Sequence, residues 1–143
     1  MDVISVCNEV ANELGVTFYH GEREFQNLRD DEVDFPVIYL DEPLESEDNY
    51  TPGGFIYENY TLSIGFFVRL EKLEELPKHR YPKIKDMREL RRKFLSRFRA
   101  KKGIKEITNV RTLNISDLFD AGLTGCLLTM NANTMNLDDS DCG

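Results

Sequence analysis

The sequence predicts an α+β domain: an antiparallel β-sheet with two main helices packed on one face, in the order α-β-β-β-α-β-β. Three observations predict it. Apolar residues recur at helical spacing in two separate segments. One long segment alternates strictly between apolar and polar residues, as a half-buried antiparallel strand does. Short β-branched and aromatic runs, bounded by glycine and proline, supply the remaining strands. No internal repeat and no second apolar core are present, so residues 1–134 read as one domain, followed by a loose acidic tail at 135–143.

Val3, Val6, Cys7, Val10 and Leu14 define the first helix, over 2–14, with Gly15 as its C-cap. Val16 to His20 is a short strand, and 21–28 has room for one helical turn. An acidic loop spans 29–34. Phe35 to Leu40 is a strand with Pro36 at its entrance, where no ladder donor is needed. Asp41 to Gly54 is acidic and contains Pro43, Pro52, Gly53 and Gly54; it reads as a mobile loop. Tyr57 to Leu70 is the clearest strand, with Tyr60, Leu62, Ile64, Phe66, Val68 and Leu70 on one face. Glu71 to Pro82 is charged and broken by Pro77 and Pro82, and reads as a connector. Ile84, Met87, Leu90, Arg91, Phe94, Leu95 and Phe98 mark the second helix, ending near Gly103. Residues 104–115 and 123–134 read as the closing strands, with Asp117 to Gly122 between them.

Composition narrows the function. At 143 residues the chain can bury a core without staples. No apolar run reaches the ~18 residues of a membrane span. The start, Met1-Asp2-Val3-Ile4, has no pattern of a secretion signal. Cys7, Cys126 and Cys142 are odd in number and far apart, which predicts reduced thiols in a cytosol-folded protein. His20 and His79 have no Cys or His at ligand spacing, so no structural zinc is expected. There is no GxSxG, no phosphate-binding glycine loop and no EF-hand spacing. The acids at 30–34, 41–48 and 138–141 read as solvated loop charge. The expectation is a protein that is not an enzyme, with no catalytic, metal or cofactor site.

Charge is sorted along the chain. Of the 18 Lys and Arg, 13 lie between Lys78 and Lys105, where only Asp86 and Glu89 oppose them. That window carries +11, and the other five cations and 24 acids leave −19 elsewhere, which together make the net −8. Arg88, Arg92, Lys93, Arg97, Arg99, Lys101 and Lys102 are therefore candidate contact residues. Three readings are open for them: an acidic protein surface as partner, a nucleic acid bound by the basic helix 83–105, or a solvated helix face. Nucleic acid ranks lower, because −19 elsewhere repels phosphate and no stacking aromatics are interleaved with the cations.

Three local patterns add a resemblance. The first is the initial helix running into Phe18-Tyr19-His20-Gly21. The second is Asp34-Phe35-Pro36-Val37-Ile38-Tyr39-Leu40, and the third is Phe119-Asp120-Ala121-Gly122-Leu123-Thr124-Gly125. With the element order, over roughly residues 3–134, they resemble the tail completion or tail terminator proteins of tailed bacteriophages, including neck ring proteins of crAss-like phages. The resemblance implies a structural virion protein without cofactor. Such a protein forms a homo-oligomeric ring, a hexamer or dodecamer, at the head–tail junction or tail end. Its partners would be the portal or other neck and tail rings, with genomic DNA passing through the lumen without sequence-specific binding and no membrane involved. It would be made and assembled in the bacterial host cytoplasm. Rings use heterologous contacts between two different patches. Asp41, Glu42, Glu45, Glu47, Asp48 and Tyr50 would then reach a neighbouring ring or line the lumen, and the tail at 135–143 would order on assembly.

Overall fold

A computed structural model describes residues 2–21, 36–41, 45–50, 52, 56–69, 77–118 and 123–135. The expected 21–28 turn after Gly21, the acidic loop at 29–34, Glu42, and the tail from Asn136 lie outside them.

Helix α1 (Val3–Glu13) starts where Asp2 caps it. Asp2 accepts from the Ile4 N–H at 3.0 Å and from the Ser5 hydroxyl at 2.7 Å, satisfying a donor that a helix start leaves unpaired. Gly15, at φ 70°, ends the helix in the left-handed conformation that a side chain disfavours. The helix buries Val3, Cys7, Val10 and Ala11.

The strands are β1 (Thr17–His20), β2 (Val37–Leu40), β3 (Glu45–Tyr50), β4 (Ile56–Arg69), β5 (Ile104–Leu118) and β6 (Leu123–Met135), and α2 (Pro77–Arg99) lies between β4 and β5. They form one six-stranded sheet in the order β1-β2-β4-β6-β5. Strand β6 pairs β4 along nearly its whole length, from Tyr57↔Met135 to Arg69↔Leu123. On its other side β4 is shared. Its Ile64–Phe67 stretch pairs β2, and its Ile56–Thr61 stretch pairs β3.

The α+β class and the main order stand, with four corrections. Residues 45–50, within the segment expected to be a mobile loop, form strand β3, because β4 is longer than β2 and offers its free half as a template. The second helix starts at Pro77 rather than at Ile84, inside the expected connector. Proline fits a first helical position, whose N–H needs no partner, and Pro82 gives up only one bond of a long helix. The sheet is mixed: β1 runs parallel to β2, while the other four pairings are antiparallel. Strand β5 also extends through Leu118, taking in Asp117.

Both helices lie on one face. Ile38, Leu40, Leu62, Ile64, Phe66, Cys126, Leu128, Met130 and Ala132 point toward them and are closed off by Cys7 and Val10 of α1 and by Met87, Phe94 and Phe98 of α2. Phe94 meets Phe66 edge-on at 5.5 Å and stacks on Phe98 at 5.7 Å. Gly125 permits a close approach of β6 to β4, since a Cβ there would strike the Phe66 carbonyl oxygen. Val37, Tyr39, Phe67 and Leu123 form a second, smaller buried cluster on the opposite face.

Candidate interaction surfaces

The cations of α2 divide by helical position. Arg88, Arg92 and Arg99 lie within one narrow sector, at steps of four and seven residues, on the side that overlooks β5. Arg88 donates to the Asn114 side chain of β5 at 3.0 Å. Arg92 pairs with Glu89 at 3.0 Å, both side chains more than half exposed, a contact worth little in water. Lys93 and Arg97 sit between a third and a half of a turn further round and are exposed. Among the described residues, Lys93, Arg97, Arg99 and Lys102 have no carboxylate partner.

Lys101 has an internal role. It contacts Glu9 at 2.9 Å and Glu13 at 2.8 Å, and its side chain is only 19% exposed. The hydrogen bond to Glu13, then that to Glu9, raises its pKa and holds it charged. It fastens the turn after α2 to α1. Two acids one helical turn apart on α1 were the signal for it, since they form a ready clamp for one ammonium. Arg91 lies on the apolar stripe and is partly buried. Desolvation, followed by repulsion from Arg88, lowers its pKa.

The acidic candidates gather on a single element. Glu45, Glu47, Asp48 and Tyr50 all lie on β3, whose six residues are exposed. Asp41 is exposed at the end of β2 and accepts a long hydrogen bond, 3.4 Å, from the Tyr39 hydroxyl. Strand β3 pairs only with β4, so its outer edge is unpaired among the described residues. Asp48 stands directly opposite Glu58 in that pairing, so two like charges face each other. The local field is negative: the Tyr60 phenol is pushed up to about 12, first by burial, then by Glu58, with Asp2 and Asp48 adding.

An open groove of about 830 Å³ runs between the C-terminal half of α2 and the start of β5. Leu95, Ile104, Ile107 and Val110 form its apolar lining, and Arg92, Arg99 and the acidic Glu106 line it as well. Val110 is 45% exposed, unusual for a valine in a strand. Nearby, Asn109 adopts φ 54° where the β5 register slips between Thr108 and Arg111, a bulge that bends the edge. Lys105 also borders the groove, but its ammonium lies over the Tyr57 ring at 4.1 Å from the centroid. Sequence reasoning located the cations but not this groove, which exists only because α2 crosses β5.

In the half of the sheet where β3 pairs, the strand order is β3-β4-β6-β5. The acidic strand and the basic-rimmed groove therefore occupy opposite edges of the same sheet. Among the described residues no three His, Cys, Asp or Glu side chains converge to hold a metal ion, and no helix is long and apolar enough to cross a membrane. Cys7 and Cys126 are buried thiols whose pKa values burial pushes up to about 12 and about 11, so neither is poised as a nucleophile. No protein-family model matches the chain, and no curated protein matches it significantly.

Proposed function

We propose that this chain is a structural virion protein of a tailed phage, a ring subunit of the neck or tail that joins portal-side and tail-side components around the DNA channel. The observation that carries this reading is the placement of opposite charge on opposite edges of one sheet. A subunit built this way meets its own copy head to tail, and such contacts generate rings when the rotation closes. The acidic surplus elsewhere suits a lumen along which DNA slides without adhering. The ring is a hexamer or dodecamer, assembled in the host cytoplasm and carried in the virion.

A second reading, a nucleic-acid-binding module on the basic segment 83–105, which spans α2 and the turn into β5, is favoured by the cations that lack carboxylate partners. Light scattering on the purified protein at low and high salt separates the two. A six- or twelvefold mass that falls as salt rises is expected, since charge contacts at a partly wet interface are screened. A monomeric mass at both salts, with salt-dependent binding of oligonucleotides, overturns the ring and selects the second reading.

A further inference from the structure

We infer that the α2–β5 groove is the receptor for strand β3 of a second copy of this chain, with Tyr50 seated on the groove's apolar lining and Asp48 against Arg92 and Arg99. The inference rests on the ring reading and gives it a specific contact. Four observations carry it. The groove combines an apolar lining with two cations, Arg92 and Arg99, against one acid, Glu106, so an occupant with an apolar group beside negative charge complements it. Asp48 and Tyr50 are such a pair. Two residues apart on one strand, they point to the same side, about 7 Å apart. Tyr50 is 71% exposed, although it is an aromatic residue on an otherwise polar strand, and aromatic anchors in pockets dominate binding energy. Finally, Asp48 opposes Glu58 within its own chain, so cations from a neighbour would relieve a repulsion that the isolated subunit retains.

The mode of contact follows from the β5 edge. Its register breaks at three places, between Ile104 and Glu106, Thr108 and Arg111, and Ile115 and Leu118. Such irregularities blunt an edge against regular strand addition. The contact is therefore made by side chains in the groove rather than by a continued hydrogen-bond ladder. Because donor and receptor lie on opposite edges, each copy uses both once, and no copy can satisfy itself.

The test uses two charge-reversed variants of the full chain, Glu47→Lys/Asp48→Lys and Arg92→Glu/Arg99→Glu, with circular dichroism to check folding. Each is expected to be monomeric at concentrations where the wild type assembles. Mixed in equal amounts they should assemble together, because each variant's strand then meets a groove of opposite charge on the other. The chain carrying all four changes should assemble again. Tyr50→Ala should weaken assembly by about tenfold or more in dissociation constant. If the wild type assembles and both variants assemble equally well, the ring stands and this contact is wrong. If both are monomeric but fail to pair in the mixture, the contact is again wrong. A wild type that stays monomeric overturns the contact and the ring reading together, and oligonucleotide binding lost in Arg92→Glu/Arg99→Glu would then give the groove to nucleic acid.

Discussion

The two halves of the sheet are built on different chemistry. Where β2 flanks β4, side chains toward the helices are apolar and fully buried: Ile38, Leu40, Ile64, Phe66, Cys126 and Leu128. Where β3 flanks β4, the face away from the helices carries polar groups bonded across strands. Asn131 donates to Asn59 at 3.1 Å and to Thr61 at 3.2 Å, and it accepts from Asn109 at 3.3 Å. The same two long strands, β4 and β6, run through both halves. The first half holds the molecule together by removing apolar area from water, a large and non-directional gain. The second half is held by registered polar contacts of modest net worth and leaves its edges available. Stability and contact surface are thus separated along one pair of strands.

Breaking the apolar half should have the largest effect. Phe94 is fully buried and touches Phe66 from the sheet and Phe98 from its own helix. Phe94→Ala is expected to cost about 3–5 kcal/mol, since the transfer energy is lost and a cavity remains. Urea titration reads the loss. Alkylation at pH 8 reads the same opening: Cys7 and Cys126 should stay unmodified in the wild type, where burial keeps both thiols neutral, and become modified in the variant. A cost below 1 kcal/mol would mean that α2 does not carry the core.

The next effect is local to α1. Asp2→Ala removes the cap and is expected to cost about 0.5–2 kcal/mol, while Asp2→Asn should retain most of it. The pH dependence has a definite sign. The Ser5 hydroxyl, followed by the Ile4 and Ser5 N–H groups, lowers the Asp2 pKa against a smaller opposing effect of partial burial. The ionised form is therefore favoured in the folded state. Its contribution is complete above the ordinary value of 3.8 and disappears as pH falls through the lower folded value. The stability gap between wild type and Asp2→Ala should accordingly narrow as pH falls from 3.8 through that lower folded value.

The polar half should respond more weakly. Asn131→Ala removes three side-chain hydrogen bonds at positions that water can partly reach, and about 0.5–1.5 kcal/mol is expected. Hydrogen exchange should show the loss confined to Asn59, Thr61 and their ladder, with the amides of β2 unaffected. A loss as large as that of Phe94→Ala would erase the distinction between the halves.

This division also explains what was legible in the sequence. Strict alternation marked β4, and the helical stripe from Ile84 to Phe98 marked the core face of α2, because both are imposed by burial against a solvent-facing side. Glu45 to Tyr50 gave no such signal. Nothing in that segment is buried, and four of its six residues are acidic or asparagine, types that strands avoid. Its strand state is lent by the overhanging half of β4. Pro77 and Pro82 read as breakers because their effect depends on position: at a helix start proline costs nothing, and only the start itself reveals that. The parallel pairing of β1 with β2 was equally hidden, since periodicity gives faces and not strand direction. The cations of the candidate surface were visible as a charge run. Which of them share a groove, and which one clamps α1, depends on the crossing of α2 over β5 and on the approach of α1.

The smallest expected effect has the opposite sign from the others. Asp48→Asn replaces one of two like charges that face each other across β3 and β4, where Asp48 is exposed and Glu58 half-exposed. The isolated subunit should gain about 0.2–1 kcal/mol, and the gain should shrink as salt rises, because exposed charges are screened within about 10 Å at 0.1 M. Urea titrations of the monomer at low and high salt provide the measurement. In the proposed contact the same carboxylate faces Arg92 and Arg99 of a neighbouring copy. The same substitution should therefore strengthen the fold and weaken assembly. If instead it destabilises the monomer, Asp48 is part of the scaffold, and the polar edge of the sheet is structural in the same sense as the apolar half.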